Sequence, residues 1–170
     1  DADALIERLL EGNRRAMAGG AGVAGMGPVP SQRLAILTCM DVRIDPRIVL
    51  GLALGEAHIL RNAGARVTDD VIRSLVISQQ ALGTNAVVLM PHTECGVLGL
   101  DPADILRRLG PEAAHFPPLD FRAMHDLSAA IREDLARLRE SPWIVPSVTA
   151  VGLILDIRTG LVRRQEPPAP

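Results

Sequence analysis

The chain has 170 residues, a formal net charge of −2 and a sequence pI near 6.1, the length of one domain with one core and a balance that offers no basic stripe to a nucleic-acid backbone. Aromatic residues make up 2% of it, which leaves few platforms on which single strands could stack. No apolar run approaches the roughly 18 residues of a membrane span, and the segment from Asp1 to Leu10 lacks the basic-then-apolar layout of a signal peptide, so a soluble cytoplasmic protein is expected, with a leader removed ahead of Asp1 left open.

Residues 3–18 carry Leu5, Ile6, Leu9, Leu10 and Met17 among charges, the pattern of an amphipathic helical arm. Residues 19–30 mix glycine and proline too densely for regular structure. Gly20, Gly22 and Gly25 form a literal GxGxxG, but a dinucleotide site needs a strand before it and a helix after it; here a helix precedes and Pro28 and Pro30 follow. The expected organisation is therefore an arm and linker over residues 1–30 and one folded domain over 31–170.

Beyond the linker the pattern alternates. Short apolar runs at 33–39, 57–61 and 85–91 are separated by stretches of helical period, which predicts a single α/β domain with a mostly parallel sheet flanked by helices. Asp45 before Pro46, and Thr68 before Asp69 and Asp70, mark helix starts; Gly83 is expected to close the second helix. Asp101 and Pro102 open a short helix ending near Gly110, and Leu127, Ile131, Leu135 and Leu138 form the buried stripe of a longer one stopped by Ser141 and Pro142. Residues 148–157 and 161–164 read as an antiparallel extension turning at Arg158, Thr159 and Gly160.

Chemistry concentrates at the ends of the first and third runs. Cys39 ends one and His92 follows the other, and carboxyl ends of strands are where open α/β sheets bind ligands. If strand order reverses between these strands, a crevice opens there. Cys39, His92 and Cys95 offer thiolate, imidazole and thiolate to a metal with one open position, the arrangement of a catalytic zinc. Cys95, followed by Gly96, is expected on a tight turn at a helix start, where backbone N–H groups favour a thiolate. Asp41 and Arg43 are two apart, so in extended backbone they share a side and can pair. A Cys39–Cys95 disulfide and a mere surface Asp41–Arg43 pair are the competing structural readings; reducing conditions disfavour the first. A phosphatase loop is rejected, because Met40, Val42 and Ile44 stand where glycines would cradle a phosphate.

Cys39, Asp41 and Arg43 in CMDVR, the segment Arg61–Gly64, and His92–Gly96 in HTECG resemble the defining motifs of the β-class carbonic anhydrases, and the spacing of 53 from Cys39 to His92 matches that family. The resemblance runs strongly from about Arg33 to Leu100 and more weakly through Val151, and is nearest to the compact bacterial type. It implies zinc on Cys39, His92 and Cys95, an Asp41–Arg43 dyad, a parallel sheet with an antiparallel extension, and a homodimer or higher homo-oligomer with active sites near the subunit interface. It also implies a closed state in which Asp41 takes the fourth zinc position. The activity implied is reversible hydration of CO2 to bicarbonate and a proton by hydroxide generated at the metal. The chain departs from plant-type members in having no tyrosine, and only Phe116 and Phe121 as phenylalanines.

Physical argument assigns roles beside the resemblance. An ionised Asp41 can only accept hydrogen bonds and would orient the attacking oxygen, and Arg43 would hold it ionised and off the metal. Arg61 and Asn62 read as residues that fix backbone between sheet and loop. His58, His115 and His125 could each carry protons, and the sequence selects none. Hydrolysis of COS or CS2 on the same scaffold, and a non-catalytic zinc protein, are the alternatives. The lack of a CxxC disfavours a thiol redox protein.

Overall fold

The computed structural model describes residues 2–23 and 25–165. The expected linker thus includes one residue, Ala24, outside the described residues, and the domain expected to reach Pro170 is described to Gln165. The first helix, α1 (Ala2–Ala18), buries none of its residues, and Leu5, Ile6, Leu9, Leu10 and Met17 are all exposed.

Strands β1 (Leu34–Cys39), β2 (Ala57–Asn62), β3 (Ala86–Met90), β4 (Thr149–Leu155) and β5 (Val162–Arg164) form one sheet in the order β2-β1-β3-β4-β5. The first four are parallel and β5 runs antiparallel to β4. Chain progress moves from β1 to β2 on one side and then back past β1 to β3, so the expected reversal lies between β1 and β3 and the loops after those strands diverge. From Ala35 to Cys39, β1 is buried throughout, as an apolar central strand covered on both faces should be. Along β3, Val87 and Leu89 join a core with Leu37, Val67, Leu75 and Leu138. The alternate Val88 and Met90 face Ile44, Met124, Ala130 and Leu155 on the other side, together with both cysteines.

Three helices, α2 (Pro46–Leu50), α3 (Asp69–Gln80) and α4 (Pro102–Leu109), begin as their sequences dictate: Asp45, Thr68 and Asp101 each accept a first-turn N–H through their side chains. The α2 crossover is only five residues long, shorter than a helical period over the whole stretch implied. Helix α3 ends at Gln80 with Ala81 as its cap; Gly83, with φ of 73°, lies in the turn beyond rather than closing the helix. Helix α5 (Leu127–Glu140) buries Ile131 and Leu138 and lies so close to β4 that a Cβ at Gly152 would overlap the Ile131 side chain.

Behind α5 lies a buried ion cluster. Asp134 accepts from Arg66 Nε at 2.7 Å, Arg122 Nη2 at 2.8 Å and the Val67 N–H at 3.1 Å, and Arg66 also pairs with Glu133. Both Arg66 and Asp134 are 2% exposed, so each charge depends on its partner.

Candidate metal centre

Cys39, the last residue of β1, His92, just beyond β3, and Cys95 bring their ligand atoms within 4.8 Å of one another in a buried cluster. The register explains the meeting: β1 and β3 are hydrogen-bonded neighbours, with Thr38 opposite Met90. His92 then bridges to Leu155 at the end of β4. The turn that follows docks on the same strand end, where Thr93 N donates to Leu155 O at 2.9 Å and Thr93 Oγ1 accepts from Ile157 N at 3.0 Å. Cys95 is thereby returned toward Cys39. No helix starts at Cys95, contrary to expectation: residues 96–99 are turn and bridge, so a helix dipole does not act there.

The donors fit a tetrahedral metal. The sulfurs of Cys39 and Cys95 stand 3.8 Å apart, far beyond a disulfide bond and equal to the separation of about 3.8 Å that two Zn–S bonds of about 2.3 Å subtend at a tetrahedral angle. The Cys39–Cys95 disulfide reading is therefore not realised. His92 Nδ1 lies 2.8 Å from Thr93 O, which fixes the proton on that nitrogen. Its Nε2 is buried without a hydrogen-bond partner, the state of a lone pair awaiting a cation. Burial keeps the imidazole neutral by pushing its pKa down. Burial also pushes the Cys95 thiol up, against the Val97 and Leu98 N–H groups, and Cys39 nearby adds to the rise; a bound cation reverses that balance.

Beside the cluster, Arg43 holds the Asp41 carboxylate with a fork: Nε to Oδ1 at 2.9 Å and Nη2 to Oδ2 at 2.7 Å, with the Arg43 backbone N–H also on Oδ1 at 2.9 Å. These bonds hold Asp41 well below the usual carboxylate range, the side-chain bond from Arg43 contributing most. Asp41 Oδ2 is 3.7 Å from His92 Nε2, so the carboxylate lies against the buried cluster while the Arg43 side chain is half exposed. Arg61 donates to Cys39 O at 2.9 Å and to Asp41 O at 2.7 Å, fixing the loop carbonyls as its sequence position suggested.

None of the histidines weighed as proton carriers belongs to the buried Cys39, His92 and Cys95 cluster. His58 Nδ1 is 2.7 Å from Ser78 Oγ, and His115 and His125 are exposed. Sequence reading missed the Gly64 N–H, which lies 3.4 Å from Cys39 Sγ, and the wall of Val97 and Met124 against Gly64. The only signal for either was the RNAG segment itself.

Comparison with known proteins agrees with this geometry. The sequence profile described as carbonic anhydrase matches residues 34–104. Beta-carbonic anhydrase 1 of Mycobacterium tuberculosis is 38% identical over 148 residues, covering 86% of this chain and 91% of that protein. A carbon disulfide hydrolase of Acidithiobacillus thiooxidans is 30% identical over 158 residues, covering 81% of this chain and 79% of that protein. The crystal structure of a carbonic anhydrase from Streptococcus mutans superposes with a TM-score of 0.86 at 43% identity, covering 95% of this chain and 97% of that one. By sequence, fold and the chemistry of its buried donors, the chain belongs to the β-carbonic anhydrase family.

Proposed function

We propose that this protein is a zinc carbonic anhydrase that interconverts CO2 and water with bicarbonate and a proton, with Cys39, His92 and Cys95 as ligands and Asp41 and Arg43 as its dyad. The observation that carries the reading is the buried, partnerless Nε2 of His92, a residue clustered with two sulfurs 3.8 Å apart, with a carboxylate alongside. Zinc, when bound, supplies a Lewis acid that makes a coordinated water acidic enough to attack.

The chain supplies orientation. Both Asp41 oxygens are engaged by Arg43, and an ionised carboxylate can only accept. An attacking oxygen beside Asp41 would therefore turn its hydrogen toward the carboxylate and leave a lone pair for the carbon of CO2. While the fork holds, Asp41 is kept from becoming a fourth ligand. Release of the fork would permit the closed state, in which Asp41 coordinates.

Hydrolysis of CS2 is the second reading, supported by the 30% identical carbon disulfide hydrolase. The higher identity to β-carbonic anhydrases favours CO2. Stopped-flow assays on CO2, COS and CS2 with zinc-loaded protein decide between them: proton release from CO2 with negligible sulfide release is expected, and the reverse pattern would transfer the assignment.

A homodimer or higher homo-oligomer fits the surface. Val42 is 99% exposed and Ile48 81% exposed beside the site, and the apolar stripe of α1 is uncovered. A second copy would bury these faces. Sedimentation at micromolar concentration is expected to show at least a dimer. No helix among the described residues is long and apolar enough to cross a membrane. Free Cys39 and Cys95 suit a reducing compartment such as the cytoplasm.

A further inference from the structure

The two sulfurs of the centre obtain their N–H donors in different ways. At Cys95 the nearby N–H groups are local, those of Val97 and Leu98 two and three residues on, and Leu98 N donates to the Cys95 carbonyl at 3.0 Å. Cys39 instead faces the N–H of Gly64, 25 residues away on a different segment, at 3.4 Å. Nothing local guarantees that contact.

The Gly64 turn is also a conformation the chain does not adopt freely. Gly64 has φ of 78° and Ala65 φ of 56°, and the left-handed region is one that alanine, with its Cβ, rarely adopts. What spans the turn is Asn62. Its Oδ1 accepts from Arg66 N at 2.9 Å and its Nδ2 donates to Arg66 O at 2.7 Å, so one side-chain amide closes residues 62–66 from both sides. Arg66 is itself anchored through its guanidinium to Asp134 on α5. On the other side of the clamp, Asn62 O accepts from Met40 N at 3.0 Å, tying it to the loop that carries Asp41.

We propose that Asn62 is a positioning residue of the metal centre: its side-chain amide clamps the Ala63–Ala65 turn so that the Gly64 N–H stays on the Cys39 sulfur. The inference rests on the proposed ligand set. An N–H directed at a ligating sulfur holds its lone pairs in one orientation and draws off part of its negative charge, so the clamp preorganises the ligand whose donor is not local.

Cadmium-113 reports this directly, because scalar coupling passes from the metal through sulfur to a hydrogen-bonded amide proton. In protein loaded with 113Cd2+, the metal is expected to couple to the β-protons of Cys39 and Cys95 and also to the Gly64 amide proton. In Asn62→Ala the Gly64 coupling is expected to vanish, and zinc retention against a chelator to weaken about 10- to 100-fold. Gly152→Ala, strained against Ile131 and outside both the ligand set and the Asn62 clamp, measures what loss of packing alone does to zinc retention. If Asn62→Ala retains the Gly64 coupling, or loses no more zinc affinity than Gly152→Ala, Asn62 is only a fold residue and the proposal is overturned. Should Asn62→Ala not fold, the near-isosteric Asn62→Asp can still accept from Arg66 N but cannot donate to Arg66 O. It is expected to weaken both signals, and unchanged values overturn the proposal. Coupling to both cysteines without any to Gly64 in the wild type overturns the clamp alone. Absence of coupling to either cysteine overturns the ligand set beneath it.

Discussion

Arg43 grips Asp41 through both nitrogens of its fork while Asp41 Oδ2 stays 3.7 Å from His92 Nε2. One carboxylate is thus held by a guanidinium on one side while it lies against a buried, unpartnered imidazole nitrogen on the other.

Removing the restraint is expected to reduce turnover without removing metal. Arg43→Ala should lower the CO2 hydration rate by about 100-fold or more, since an orienting arrangement is lost, with zinc content unchanged. In Asp41→Asn the amide presents an NH2 donor where only an acceptor serves, and a loss of similar size is expected. Stopped-flow rates beside metal analysis check both. A near-wild-type Asp41→Asn with zinc bound would make Asp41 a bystander.

Ligand substitutions should separate from dyad substitutions by metal content. Cys39→Ala, His92→Ala and Cys95→Ala each leave two of the three donors and are expected to lose nearly all zinc on dialysis against a chelator. Full retention in Cys39→Ala would refute the assignment of that sulfur.

The acid behaviour of the dyad follows from the direction of its shift. A carboxylate whose native pKa lies below its unfolded value contributes stability that is complete above the unfolded value and fades only as pH falls through the native one. Asp41, depressed from an ordinary 3.8, should therefore remain ionised at pH values where a free carboxylate is half protonated. Loss of activity above about pH 5 then belongs to another group or to opening of the dyad, not to protonation of Asp41 on its fork. The carboxyl carbon chemical shift of Asp41, followed by NMR against pH, should give a midpoint well below 3.8. A midpoint at or above that value would mean the fork is not populated.

The ion cluster behind α5 should matter to folding more than to chemistry. Asp134→Ala leaves the Arg66 guanidinium, 2% exposed, without its main acceptor, and a loss of about 3–5 kcal/mol in urea unfolding is expected. A change under about 1 kcal/mol would show that water or Glu133 takes over the charge.

Local parts of this protein are specified within short stretches of its chain. Asp45, Thr68 and Asp101 announce helix starts because capping is satisfied within one turn, and β1 reads as a strand because its run of apolar residues is buried on both faces. The donors Cys39, His92 and Cys95, and the Asp41–Arg43 pair, were legible because their chemistry and spacing lie within two short segments. Tertiary packing set whatever depends on distant segments meeting. It replaced the helix expected at Cys95 with a turn docked on Leu155 and set the sulfurs 3.8 Å apart. It also brought the Gly64 N–H to Cys39 and closed Arg66 onto Asp134, pairs 25 and 68 residues apart. No periodicity encodes such contacts, because parallel strand order and register bring together groups that are remote along the chain.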